Sequence, residues 1–232
     1  MWILRALAPL VLAGCSQILG LHDLDEAPQF ELKGSVSESY LDGSNHAQTT
    51  VPSGVTVEFV RLADGETLAS ETTVGGNYSL TIPGATDGYL HVTLPGNDIV
   101  ETYQYLAEPL TTDFTQTLFM NTRPYIMALA AEAQAAQGIS NGFVMFIVED
   151  TSLGRVPAVT VAAGGDTVTY TTSNGPDAAA TETDASGLAF IFDASSTLRS
   201  FTAAGNGMSV TRDNVDVVGG ALTVVPLVLP GS

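Results

Sequence analysis

Cys15 is the only cysteine in 232 residues. No disulfide can form within the chain and no cysteine cluster can hold a metal. Its sulfur is the one strong nucleophile available, so any covalent chemistry of this protein points to that position. The histidines are His22, His46 and His91, scattered over an N-terminal tether, a loop and a strand. No His-Glu-x-x-His, Gly-x-Ser-x-Gly or Gly-rich phosphate loop occurs, so no catalytic residue is assigned and the chain is not expected to be an enzyme. Calcium sites need several oxygens converging on one loop. Here the acids are scattered singly, so neither metal nor other cofactor is expected. Sugar rings stack on exposed flat side chains. The single Trp is Trp2, and the remaining platform is Tyr103 with Tyr105, two apart on a strand and therefore on one face.

The first 14 residues explain the lone thiol. Arg5 supplies a positive start and an apolar run continues to Ala13, the layout of a secretory signal. About 14 helical residues at about 1.5 Å each span roughly 20 Å, too short for a hydrocarbon core about 30 Å thick. Leu12-Ala13-Gly14-Cys15 resembles the lipobox of bacterial lipoproteins. That resemblance implies cleavage between Gly14 and Cys15 and fatty acylation of the Cys15 sulfur and its new amine. Small Ala13 and Gly14 would admit a peptidase to the backbone, and two or more acyl chains anchor a protein stably where one does not. Ser16, where inner-membrane retention would use Asp, implies transfer to the outer membrane.

Composition narrows the partners. With 25 acidic residues against 7 basic and a formal net charge of −18, the surface repels phosphate backbones, so nucleic acid is not a partner. A hydrophobic content of 45% is ample for a packed core.

The elements that would position these residues are short strands. In Val55-Thr56-Val57-Glu58-Phe59 the apolar residues share one face, and Tyr78, Leu80 and Ile82 alternate likewise with Ser79 and Thr81. Further strands are expected over 89–94, 99–105, 114–120, 143–148, 167–172, 201–204, 208–212 and 222–229. Pro226 predicts that the last one is an edge strand or bulges, since Pro cannot donate to a ladder. A weak internal repeat runs through the pattern. Pro52-Ser53-Gly54-Val55-Thr56-Val57 returns as Val156-Pro157-Ala158-Val159-Thr160-Val161, and the segment beginning Thr72-Thr73 returns as that beginning Thr183-Asp184. Between the copies, Pro124 to Gly138 is Ala-rich, bounded by a Pro that suits a first helical turn and a Gly that suits a stop, which predicts a helix packed on a module.

The order Gly34-x-Val36, Pro52-x-Gly54-Val55-Thr-Val57, then Thr72 through Gly76-x-Tyr78-x-Leu80 resembles carboxypeptidase regulatory-like domains, relatives of transthyretin-like and collagen-adhesin B-type modules. The second copy is diverged, with Ala158 for the Gly and Ala189 for the Tyr. The resemblance implies an all-β fold of two tandem prealbumin-like or Ig-like β-sandwiches joined by a short α-helix, after a cleaved lipoprotein signal peptide. Expected boundaries are 1–14 for the signal, 15–29 for the lipidated tether, 30–122 and 142–232 for the sandwiches, and 123–141 for the helical linker. These modules are not peptidases, and a fold implies no reaction. Some collagen-adhesin modules carry an isopeptide cross-link, for which Lys33, the sole lysine, and Asn121 would be the partners, yet no carboxylate is assignable to promote it. The functional expectation is a cell-envelope protein, bound to the membrane through lipid on Cys15, with non-catalytic spacer or interaction modules. The alternatives are a polysaccharide-binding surface lipoprotein and an accessory subunit of an envelope enzyme or transporter.

Overall fold

The computed structural model describes residues 28–231 except 97 and 139. Gly14, Cys15, Ser16 and His22 therefore lie outside the described residues. Within them the protein is nearly all β, with a single short helix and three sheets.

The N-terminal half supplies β1 (Gln29–Leu41), β2 (Ala47–Thr50), β3 (Thr56–Arg61), β4 (Thr67–Thr72), β5 (Asn77–Pro83), β6 (Gly88–Thr93), β7 (Ile99–Val100), β8 (Thr102–Tyr105), β9 (Phe114–Thr115) and β10 (Leu118–Thr122). After helix α1 (Arg123–Glu132) come β11 (Gly142–Asp150), β12 (Thr160–Ala162), β13 (Thr169–Thr172), β14 (Gly175–Asp177), β15 (Leu188–Ala194), β16 (Leu198–Gly205), β17 (Met208–Asp216) and β18 (Leu222–Leu229).

The repeat recurs in the pairing. β1 pairs antiparallel with β5 and parallel with β10, and β11 does the same with β15 and β18. The alternation read from sequence sets the faces: Tyr78, Leu80 and Ile82 of β5 are buried against Val57, Phe59, Leu90 and Val92. A threonine clamps the same turn in each copy. Thr73 Oγ1 accepts from Val55 N–H (3.1 Å), while its backbone accepts from Gly54 N–H and donates to Val55 O (3.0 and 2.8 Å). Thr183 repeats all three bonds with Val159 and Ala158. Ala158 takes φ 59° where Gly54 takes 78°, so the substitution seen in sequence keeps the glycine's left-handed backbone at a steric cost. The clamp equates Thr183 with Thr73 rather than with Thr72, which corrects the sequence alignment by one residue.

The halves also share a sheet, which the sequence does not reveal. β8 pairs in parallel with β18, so one nine-stranded sheet runs β14-β13-β15-β11-β18-β8-β6-β3-β4. Its two faces are covered at opposite ends. Over the N-terminal end the sheet of β1, β5 and β10 closes a core around Leu32, Phe59 and Leu118. Over the C-terminal end, on the other face, β12, β16 and β17 close a core around Phe146, Ile191 and Phe201.

Three local expectations change. β18 is central, not an edge, between β11 and β8. Leu222 N–H donates toward β8, at Glu101 O, so even-numbered positions face that side by alternation. Pairing with β8 ends at Val224, so the missing N–H of Pro226 points past the end of β8 and costs no ladder bond. Helix α1 stops at Glu132, well before Gly138. Gln134 adopts φ 53°, and Ala135 N–H closes back on Ala130 O (2.8 Å), a Schellman-type end with Gln in the usual glycine place. The strands expected over 99–105 and 114–120 are each broken, into β7 and β8 and into β9 and β10.

Candidate functional site

Tyr103 and Tyr105 do share a face of β8, as their spacing requires, but β17 covers one of them. Tyr105 is 0% exposed and packs in the C-terminal core. Its hydroxyl accepts from Asp216 N–H (2.7 Å), and Arg212 lies over its ring while pairing with Asp87. Burial pushes its pKa to about 12. Tyr105 therefore fastens the halves together and is closed to a ligand. Tyr103 is half-buried and stacks on His91, with ring centroids 4.7 Å apart. His91 lies between two carboxylates, with Nδ1 3.1 Å from Glu58 and Nε2 3.6 Å from Glu101. His46 sits in an exposed loop beside Asp42.

Lys33 and Asn121 are not brought together. Lys33 is exposed and pairs with Glu31 at 2.5 Å, whereas Asn121 pairs with Ser39 in the β1–β10 ladder. Six residues of strand between Lys33 and Ser39 put them about 20 Å apart, so no cross-link between them can form. The acidic turns are also spent locally. Asp42, Asp150 and Asp184 each accept hydrogen bonds within their own loops, which holds their carboxyls below the usual range. Among the described residues no group of three His, Cys, Asp or Glu is placed to hold a metal. No helix among them is long and apolar enough to cross a membrane.

A concave trough lies elsewhere, on the face of the nine-stranded sheet that α1 only partly covers. Met145, Ile147, Phe190 and Val224 form its floor, and Phe119 of β10 and Leu153, 50% exposed, rise beside it. Three adjoining cavities of about 230, 190 and 270 Å³ follow one another along this trough. Glu149 faces the middle one beside Arg155, 3.4 Å away, and burial raises its carboxyl pKa against the pull of that guanidinium. Gln104 closes the base. It is 1% exposed, and its carboxamide bridges β8 to the start of β10, donating to Thr117 O (2.9 Å) and accepting from Phe119 N–H (3.1 Å). Sequence reading passed over Gln104, although a Gln at the buried phase of Tyr103-Gln104-Tyr105 is the kind of signal that marks such a bracket.

No protein-family model matches the sequence, and no curated protein matches it. Among solved structures, the shaft pilin SpaA from Lactobacillus rhamnosus GG is 10% identical over 88% of this chain and 99% of that one, with a TM-score of 0.30. A streptococcal ancillary pilin is 13% identical over 88% and 69%, at 0.26. A fimbrial protein from Bacteroides ovatus is 9% identical over 88% and 50%, at 0.25. Likeness at this level carries no weight for ligand, partner or activity.

Proposed function

We propose that this chain is a lipid-anchored protein of the bacterial cell envelope whose β-sandwich halves form a non-catalytic spacer and interaction unit, attached through Cys15 and sorted by Ser16 to the outer membrane. The observation that carries the spacer reading is the parallel pairing of β8 with β18. Two sandwiches joined only by a linker would swing independently. Here a shared ladder and the Tyr105 junction tie them, which is what holding a surface at a fixed distance and angle from a membrane requires. The anchoring reading is supported by Leu12-Ala13-Gly14-Cys15 at the end of a short apolar leader. The trough supplies the surface for a partner within the envelope.

Metabolic labelling with a clickable fatty acid, followed by membrane fractionation, tests the anchor. The wild type is expected to carry label and to sediment with outer membranes, and Cys15→Ser to lose both. An unlabelled, soluble wild-type protein would sink the proposal.

A further inference from the structure

We infer that the cavity beneath α1 binds a small, neutral, planar molecule presenting an N–H beside a C=O, as a lactam, an imide or an aromatic primary amide does. The cavity holds about 270 Å³ between α1, β10, β14 and the floor of β11 and β15. At about 30 Å³ per water it has room for roughly nine waters, or a ligand of about ten non-hydrogen atoms. Phe119, Leu129, Met145 and Phe190 give it apolar, partly aromatic walls.

One polar group among these walls is open to the cavity. Asn121 is only 6% exposed and lines the cavity, and its carboxamide, with no hydrogen bond to another described side chain, keeps contact with that space. By strand alternation it stands on the same side of β10 as Phe119, while Leu118 and Met120 point into the N-terminal core. The other polar groups of the lining are already engaged. Thr171 Oγ1 bonds Asp184, Ser186 and Leu188 O, and the Tyr125 hydroxyl lies toward Ser39. An amide that faces a cavity is met by water when the site is empty, and a ligand that displaces this water must reproduce its hydrogen bonds.

Its chemistry specifies the complement. A carboxamide offers an acceptor oxygen and donor N–H groups side by side, so the matching ligand edge is an adjacent donor and acceptor, the geometry Asn uses on nucleobase edges. Charge selects further. No Lys, Arg or His lines the cavity, and the Glu132 carboxylate lies against Gly175 of that lining. With a net charge of −18 on the chain, an anionic ligand finds no counter-charge there.

The test titrates the purified full chain with 2-pyridone, benzamide, benzoate and toluene by saturation-transfer NMR, with thermal unfolding in parallel. The expected result is saturable binding of 2-pyridone and benzamide, at least about tenfold tighter than benzoate or toluene. Asn121→Leu should weaken the amides by about tenfold while leaving the unfolding midpoint close to that of the wild type, because a group bonded only to cavity water is being replaced by a hydrocarbon of similar size. Leu129→Trp, which fills the space, should abolish binding. No saturable binding to the wild type, or equal binding by Asn121→Leu, overturns the inference. So does a midpoint lowered by several degrees in Asn121→Leu, which would show the amide bonded within the protein rather than free for a ligand. The site does not depend on lipid at Cys15, so its failure leaves the anchoring proposal standing.

Discussion

Truncating Tyr105 should separate the two tyrosines that the sequence could not distinguish. Tyr105→Phe removes only the hydroxyl, and with it the 2.7 Å bond from Asp216 N–H. Asp216 is at the surface, where water can replace part of that bond, so the expected loss is about 1 kcal/mol. For a chain of this size that is about 2–4 °C in unfolding midpoint. Tyr105→Ala also empties the space of a fully buried ring in the C-terminal core, a loss of about 3–5 kcal/mol. Tyr103→Ala removes a half-buried ring stacked on His91 and should cost about 1 kcal/mol. Alkaline pH gives an independent readout. The Tyr105 pKa, raised to about 12 by burial, means that the folded state holds the phenolic proton more tightly than the unfolded chain. That contribution is complete below the unfolded value near 10 and is lost as pH climbs through 12. Denaturant melts from pH 9 to 12 should therefore fall less steeply in Tyr105→Phe than in the wild type. If Tyr105→Ala costs no more than Tyr103→Ala, and Tyr105→Phe leaves the alkaline slope unchanged, the junction does not hold the halves together. For glycan binding Tyr103→Ala is the informative variant, because Tyr105 is 0% exposed and its removal reports on the junction rather than on a ligand.

The remaining expectations concern the bracket, the clamps and the linker. Gln104→Leu leaves Thr117 O and Phe119 N–H without their partner and should cost about 2–4 kcal/mol in urea melts; a neutral result would mean that the two strands need no bridge. Thr73→Val and Thr183→Val each remove the acceptor of one buried N–H, so each should lose about 1–3 kcal/mol, with the double variant additive to within about 0.5 kcal/mol. A silent Thr183→Val would end the equivalence of the two turns. Asp193 accepts from Gly138 N–H and the Asn141 amide, which holds its carboxyl below the usual range. Its contribution is present above the unfolded value near 4 and disappears as pH falls through the lower folded one. The protection factor of the Gly138 amide, its exchange rate compared with the intrinsic rate at the same pH, should therefore fall on acidification in the wild type and stay level in Asp193→Asn.

Period and turn chemistry made the strands legible, because a half-buried strand must alternate and a left-handed turn must use Gly or tolerate strain. The threonine clamp is not legible in the same way: the repeat aligns Thr72 with Thr183, and only the bonds to Gly54 and Val55 single out Thr73. What could not be read is which strand of one copy lies beside which strand of the other. Tyr103 and Tyr105 have identical local patterns, and only the arrival of β17 over one of them makes it core. Pro226 taught the wrong lesson alone, since its tolerance depends on where β8 happens to end. Asn121 is the sharpest case. In sequence it closes an apolar strand and invites a structural reading as one end of a cross-link. In the fold its alternation turns it away from the N-terminal core, into a space walled by α1 above and by β11 and β15 beneath. Strand register is local, whereas concavity belongs to the assembled layers. A two-copy β protein therefore announces its scaffold in its sequence and conceals its binding surface at the seam between the copies, where neither copy's own pattern has a reason to record it.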